Sequence, residues 1–153
     1  MSTSVDQVLR DNYGRVAKDL IAPMLDLVTE AHRTFGGDIE KFHIILLIGL
    51  RTVEHRDAAA IDFKAIEAGQ LTELPSLATN VKSIAASTGI PEETARRKVR
   101  ALVREGWIAR TGNVLTYTAK AAHDLTCMRR ALIRVATQNH RTVERLLKAC
   151  ETA

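Results

Sequence analysis

Aromatic residues are scarce in this sequence, whose 153 residues include one Trp, two Tyr and three Phe. The dominant residue types are helix formers instead, so we expect an α-rich protein. Only two cysteines occur, Cys127 and Cys150, and they lie 23 residues apart in one predicted helix. That separation is too long for a disulfide within the helix. No internal repeat or low-complexity segment is present.

Long apolar runs are also absent. The longest, residues 42–50, contains His43 and is shorter than the ~20 residues that a membrane-spanning helix needs. The first twelve residues, MSTSVDQVLRDN, are polar and do not resemble a signal peptide. We therefore expect no membrane partner and a cytoplasmic protein.

The motifs of common enzymes are missing too. We find no phosphate-binding glycine loop, no cluster of His with carboxylates and no nucleophile motif, so we expect no enzymatic activity and no cofactor. His123 and Cys127 lie four residues apart and offer two metal ligands, which are too few for a site. A redox role for Cys127 and Cys150 rests only on nearby arginines, which can lower a thiol pKa.

Charge is unevenly distributed along the chain, although the net charge is only +4. Residues 1–76 carry 8 Lys/Arg against 12 Asp/Glu, whereas residues 77–120 carry 8 against 3, a net +5. Residues 121–153 carry 6 against 3. A basic middle segment indicates a surface that binds a polyanion, and a solvated charged face is the alternative.

Two short helices and a tight turn are predicted within residues 81–106. Val81 and Ile84 begin an apolar face, Gly89 can take the left-handed conformation that ends a helix, and Pro91 suits the first turn of the next. In the second helix the apolar residues recur every three or four positions, so one side faces inward. These residues are Ala95, Val99, Leu102 and Val103. The other sides are basic.

A short hairpin follows the second helix. Residues 107–111 and 114–118 are strand-like and flank Gly112-Asn113, a dipeptide that favours a two-residue turn. The order resembles the helix-turn-helix of winged-helix DNA-binding proteins, in which the hairpin is the wing. The matching positions are Ala85, Gly89, Ile90, Thr94, Ala95, Leu102, Gly106 and Trp107.

Long helices are predicted on both sides of this region. Ser4 and Gln7 form a capping box for a first helix that Pro23 should kink or break, and Gly36-Gly37 should end it. Asp38 should cap a helix over residues 39–55 that is apolar almost all round and therefore buried. After a less regular segment with a short helix capped by Asp57, an unbroken helix is predicted over residues 119–150.

The last helix carries an apolar stripe too long for so small a domain to cover, so we expect it to pack against a second copy. Its members are Leu125, Met128, Leu132, Val135 or Ala136, Asn139, Val143, Leu146 and Cys150.

The whole arrangement resembles the multiple-antibiotic-resistance regulator (MarR) family. The expected fold is mainly α with a small β-hairpin wing, a winged helix-turn-helix flanked by dimerisation helices.

Four regions follow from this resemblance. Residues 1–56 supply dimerisation and core helices, 57–80 a variable connection, 81–118 the winged helix-turn-helix and 119–153 a dimerisation helix. The resemblance implies a sequence-specific transcriptional regulator that binds double-stranded DNA as a homodimer. Its recognition helix, 91–105, lies in the major groove, and its wing, 107–118, contacts the backbone or minor groove. The alternative is a winged-helix protein-interaction or dimerisation module that does not bind DNA.

The resemblance also places the DNA contacts. They are Lys82, Ser83, Ser87, Pro91, Glu92, Glu93, Arg96, Arg97, Lys98, Arg100 and Arg110. Arginines near the start of the recognition helix can contact guanine, and Arg96 and Arg97 are expected to read bases. Lys82 and Arg110 are expected to contact phosphates. Lys98 is either a phosphate contact or a partly buried stem.

A small-molecule effector that changes the helix angle at Pro23 or within 56–80 is a further hypothesis.

Overall fold

A computed structural model describes residues 4–151 as mainly helical with one small antiparallel hairpin. The elements, in chain order, are α1 (Val5–Asp11), α2 (Tyr13–Phe35), α3 (Ile39–Val53), a 3-10 turn (Ala58–Ala60), α4 (Phe63–Glu67), α5 (Val81–Thr88), α6 (Glu92–Arg104), β1 (Ile108–Thr111), β2 (Val114–Tyr117), α7 (Ala119–Asp124) and α8 (Thr126–Glu151). The expectation of a mainly α fold with a hairpin is confirmed.

The described residues form two compact units. The end unit consists of residues up to 31 and from 127 onward, and the central unit is 32–126. In the central unit α3 packs against α5, α6 and β2, and α4 packs against α7. Its fully buried side chains come from several of these elements. They include Ile44, Ile48, Ile66, Ile84, Val99, Leu102, Ile108 and Leu115.

Both predicted helix starts in the first third of the chain are confirmed. The Ser4 hydroxyl accepts a hydrogen bond from the backbone N–H of Gln7 at 3.2 Å, and the Asp38 carboxylate accepts one from the N–H of Lys41 at 3.0 Å. Each cap satisfies one of the N–H groups that a helix start leaves unpaired. Gly36 and Gly37 both take positive φ angles after α2, as the predicted helix end requires.

Of the kink or break predicted near Pro23, a break is wrong, because α2 runs continuously from Tyr13 to Phe35 with Pro23 inside it. A proline in a helix interior forfeits one backbone hydrogen bond. Here its ring is buried in the end unit, and the other turns of the 23-residue helix remain. The interruption lies earlier, at Asn12, whose side-chain amide donates to the carbonyl of Val8 at 2.9 Å.

The unbroken helix predicted over 119–150 is also wrong, because Leu125 separates α7 from α8. Residues of α7 are bound to other parts of the central unit. The Trp107 indole N–H donates to the Asp124 carboxylate at 2.9 Å, and His123 Nδ1 lies 3.0 Å from the carbonyl oxygen of Ile66. At the break, the Thr126 hydroxyl donates to the carbonyl of His123 at 2.8 Å, which satisfies an oxygen that the helix end leaves free.

Burial of α3 and α8 differs from the predicted pattern. In α3 one side is buried, but Ile39, Leu46, Leu50 and Val53 are exposed, so the helix is not buried all round. In α8 the buried stripe consists of Met128, Ala131, Val135, Thr142 and Leu146. This stripe shares Met128, Val135 and Leu146 with the predicted one and differs at Ala131 and Thr142, each one residue before a predicted member. Leu132, which the prediction places against a second copy, is 57% exposed in the single chain.

The connection between α4 and α5 is irregular but held at several points. Asp62, rather than the predicted Asp57, caps α4 and accepts from the N–H groups of Lys64 and Ala65. Further along, the Leu77 N–H donates to the Arg51 carbonyl at 3.1 Å. Gly69 ends the short helix with a positive φ angle, as predicted.

Candidate nucleic-acid interface

The turn between α5 and α6 is fixed by local hydrogen bonds. Asn80 caps α5 by accepting from the Ser83 N–H at 2.9 Å, a cap that the sequence pattern had not identified. Gly89 ends α5 in the left-handed conformation with φ of 72°. The Thr88 hydroxyl donates to the Ile84 carbonyl at 2.7 Å and accepts from the Ile90 N–H at 3.3 Å. These bonds satisfy the helix end and set the direction in which α6 leaves.

One side of α6 is buried and the opposite side is basic. Ala95, Val99 and Leu102 are fully buried and hold the helix against the central unit. Arg97, Arg100 and Arg104 are exposed and follow one another at intervals of three and four residues, so they form one stripe. Within residues 4–151, no acidic side chain pairs with any of these three arginines. The stripe therefore presents three uncompensated positive charges to solvent.

Arg96 has a different environment from Arg97 and Arg100. Its Nη2 donates to Glu92 Oε1 at 2.7 Å, and its Nε lies 3.4 Å from Glu93 Oε2. The side chain is 35% exposed. Both carboxylates lie in the first turn of α6, where negative charge suits the helix dipole. Arg96 is thus partly neutralised by its own helix.

Lys98 points into the central unit. Its Nζ lies 2.5 Å from Asp38 Oδ2 and 3.6 Å from Glu40 Oε2, and the side chain is 19% exposed. Lys41 pairs similarly with Glu105, just after α6. These ion pairs join the start of α3 to α6 across ~60 residues of sequence. Of the two alternatives for Lys98, the partly buried stem fits this geometry, and we leave Lys98 out of the proposed DNA contacts below.

The pKa of Asp38 is lower than the ordinary value for an aspartate. Burial raises the pKa of Asp38. The hydrogen bonds from Lys98 and from the Lys41 N–H, together with the charges of both lysines, lower this pKa by more than burial raises it. A lowered folded-state pKa means that the carboxylate stabilises the fold at pH values above its unfolded pKa. That contribution is lost as pH falls through the folded pKa, below about 3.8.

We predict that Asp38→Asn destabilises the protein at pH 7 by about 1 kcal/mol, because the charge partner of Lys98 is removed. Asparagine is as good a helix cap as aspartate, so the substitution leaves the cap in place. Urea unfolding at pH 7 and at a pH below about 3.8 measures the difference, which should be smaller at the lower pH. Asp57→Asn is the control, since Asp57 is 62% exposed and caps no helix. A difference of the same size at both pH values would contradict the charge assignment.

The hairpin has the predicted register. Ile108 pairs with Tyr117 and Thr111 with Val114, which leaves Gly112 and Asn113 as a two-residue turn with φ of 61° at Gly112. Arg110 is exposed, and its Nε donates to the Gly112 carbonyl at 2.9 Å. Thr79 pairs with Leu115 through two backbone hydrogen bonds of 2.8 and 3.2 Å. This third partner on the other side of β2 holds the hairpin beside α5 and was not predicted.

A cleft of about 370 Å³ lies between the starts of α5 and α6 and the hairpin. Asn80, Val81, Lys82, Glu92, Arg96, Arg110, Asn113 and Leu115 line it. Three of these side chains are cationic and one is a carboxylate. The fold therefore brings Lys82, Arg96 and Arg110, from three different elements, to one concave surface.

The remaining candidate residues are on the surface. Ser83, Ser87 and Pro91 are exposed, with Ser83 and Ser87 on α5 and Pro91 at the start of α6. They flank the cleft and the arginine stripe in sequence. His123 and Cys127 lie on two different helices, α7 and α8. Among residues 4–151, no three His, Cys, Asp or Glu side chains are grouped so that they could hold a metal ion.

No family model, no curated protein and no solved structure matches this chain. In the part of the chain that the structure covers, no helix is both long enough and apolar enough to span a membrane.

Proposed function

We propose that this protein is a sequence-specific DNA-binding transcriptional regulator that works as a homodimer, with a winged helix-turn-helix of the MarR type. In this proposal α6 enters the major groove as the recognition helix, and the β1–β2 hairpin is the wing that contacts the backbone or the minor groove. The observation that carries the proposal is the basic stripe of α6, which has no acidic partner among residues 4–151, next to a cleft with three more cations.

The arginine stripe suits base recognition. Arg97 and Arg100 are exposed on a helix whose other side is fixed by buried residues, so their guanidinium groups can reach into a groove about 12 Å wide. Each bidentate arginine–guanine contact discriminates by ~1–3 kcal/mol. Arg96 is held by Glu92 and Glu93. We therefore assign the base contacts to Arg97 and Arg100, and the contacts with the DNA backbone to the residues of the cleft.

The cleft and hairpin suit phosphate binding. Lys82, Ser83 and Ser87 lie on α5, and Arg110 lies on β1 next to the turn. Contacts of this kind position a protein on DNA without reading its sequence.

The alternative function is a protein-interaction module without DNA binding. For such a module we would expect an acidic or apolar outer face on α6. The arginine stripe favours DNA.

Exposed apolar residues of the end unit support the dimer. Tyr13, Ile21, Met24, Leu25 and Val28 of α2, and Leu132 and Ile133 of α8, are each 46–62% exposed. Clusters of large exposed apolar side chains are typical of interaction surfaces.

Selection of bound duplexes from a random-sequence DNA library tests the proposal. A recognition helix in each of two symmetric subunits should enrich a two-fold symmetric site. The protein is expected to bind the enriched duplex in preference to the starting library.

A further inference from the structure

The cleft beside the hairpin contains a carboxylate, that of Glu92, among its cations. Lys82, Arg96 and Arg110 give it three positive charges, and Glu92 gives it one negative charge that is bonded to Arg96 at 2.7 Å. Arg110 uses its Nε to bond the Gly112 carbonyl, and this bond orients its guanidinium. Lys82 has no ion-pair partner in the part of the chain that is described. Arg96 is therefore the one cation of the cleft that is already engaged by a carboxylate.

Resting on the proposed function, we propose that this cleft is a subsite for one backbone phosphate of DNA, and that Glu92 competes with that phosphate for Arg96. The concave shape, the three converging cations and the two asparagine side chains fit a small oxyanion with several acceptor oxygens. A phosphate that enters the cleft takes the place of the Glu92 carboxylate at the Arg96 guanidinium. Glu92 thus limits how tightly the protein binds DNA of any sequence.

The effect of Glu92 on DNA affinity can be distinguished from the effect of the residues that contact bases. A backbone phosphate is present in every duplex, so a residue that competes with it lowers affinity for random and selected DNA alike. Removing the Glu92 charge leaves Arg96 with only its longer contact to Glu93, at 3.4 Å, and reduces the repulsion of the phosphate.

Glu92→Gln tests this inference with random-sequence duplex as the probe. Titration of labelled duplex, followed by fluorescence anisotropy, should show ~3- to 10-fold tighter binding at low salt. Glu54→Gln is a matched control. It removes the same charge from an exposed ion pair of the same kind, Arg51–Glu54, at 2.6 Å at the C-terminal end of α3. It should change affinity by less than about twofold.

A double-mutant cycle separates competition from general electrostatics. Arg96→Gln should weaken binding, and Glu92→Gln in that background should gain much less affinity than in the native protein. Equal gains in both backgrounds would overturn the competition, and so would a Glu92→Gln gain no larger than that of Glu54→Gln. If native protein and Glu92→Gln both stay folded by circular dichroism and neither binds duplex, the proposed function itself fails, and the subsite with it.

Discussion

The double variant Arg97→Ala/Arg100→Ala should bind the selected DNA site at least ~30-fold more weakly than the native protein. Both side chains are exposed on α6 with no acidic partner among the described residues, so their removal costs the protein no internal contact. Loss of two base contacts at the lower end of ~1–3 kcal/mol each gives this factor. Affinity for random duplex should fall by a clearly smaller factor, because that binding depends on phosphates.

A second pair of substitutions controls for charge. Arg56→Ala/Lys64→Ala removes the same two charges from exposed positions of the central unit outside α6. Anisotropy titrations should show affinity for the selected site within about threefold of native. If the two double variants weaken binding equally, the assignment of base contacts to Arg97 and Arg100 is wrong.

Leu132→Glu/Ile133→Glu should convert the proposed dimer to a folded monomer. These side chains are 57% and 58% exposed in the single chain, so a charge there should not unfold the subunit. Two glutamates on each copy would introduce like charges and unpaired polar groups into an apolar interface. A monomer engages one half-site, so its affinity for the full site should fall by ~100-fold or more. Light scattering and anisotropy measure the two effects.

The exposed side of α3 supplies the comparison for the dimer test. Leu46→Glu/Leu50→Glu places the same charges on a helix of the central unit, at side chains that are 52% and 48% exposed. This variant should remain dimeric and bind the selected site like the native protein. If it becomes monomeric while the α8 variant stays dimeric, the interface lies on α3 rather than on the end unit.

Local signals predicted α5, α6 and the hairpin because the determinants of these elements are close in sequence. Gly89 and Pro91 are two residues apart, the buried residues of α6 follow the helical period, and Gly112-Asn113 alone sets the hairpin register. The charge of the second helix was visible for the same reason.

Long-range contacts account for what the sequence did not predict. The partner of Lys98 is Asp38, 60 residues away, so the sequence pattern could not separate an internal ion pair from a surface contact. The Thr79–Leu115 pairing and the division of α7 from α8 likewise depend on what packs nearby. The exposed side of α3 shows that an apolar composition alone does not fix burial. Asn80 is an exception, because an Asn just before an apolar helix start is a local capping signal.

Sequencing of duplexes selected from a random library by the native protein tests the central claim most directly. We expect enrichment of a site with two symmetric half-sites, their centres about one helical turn apart, bound by two copies of the chain. A folded protein that enriches no sequence over the input library, and that fails to bind duplex even at about 50 mM salt, would contradict it.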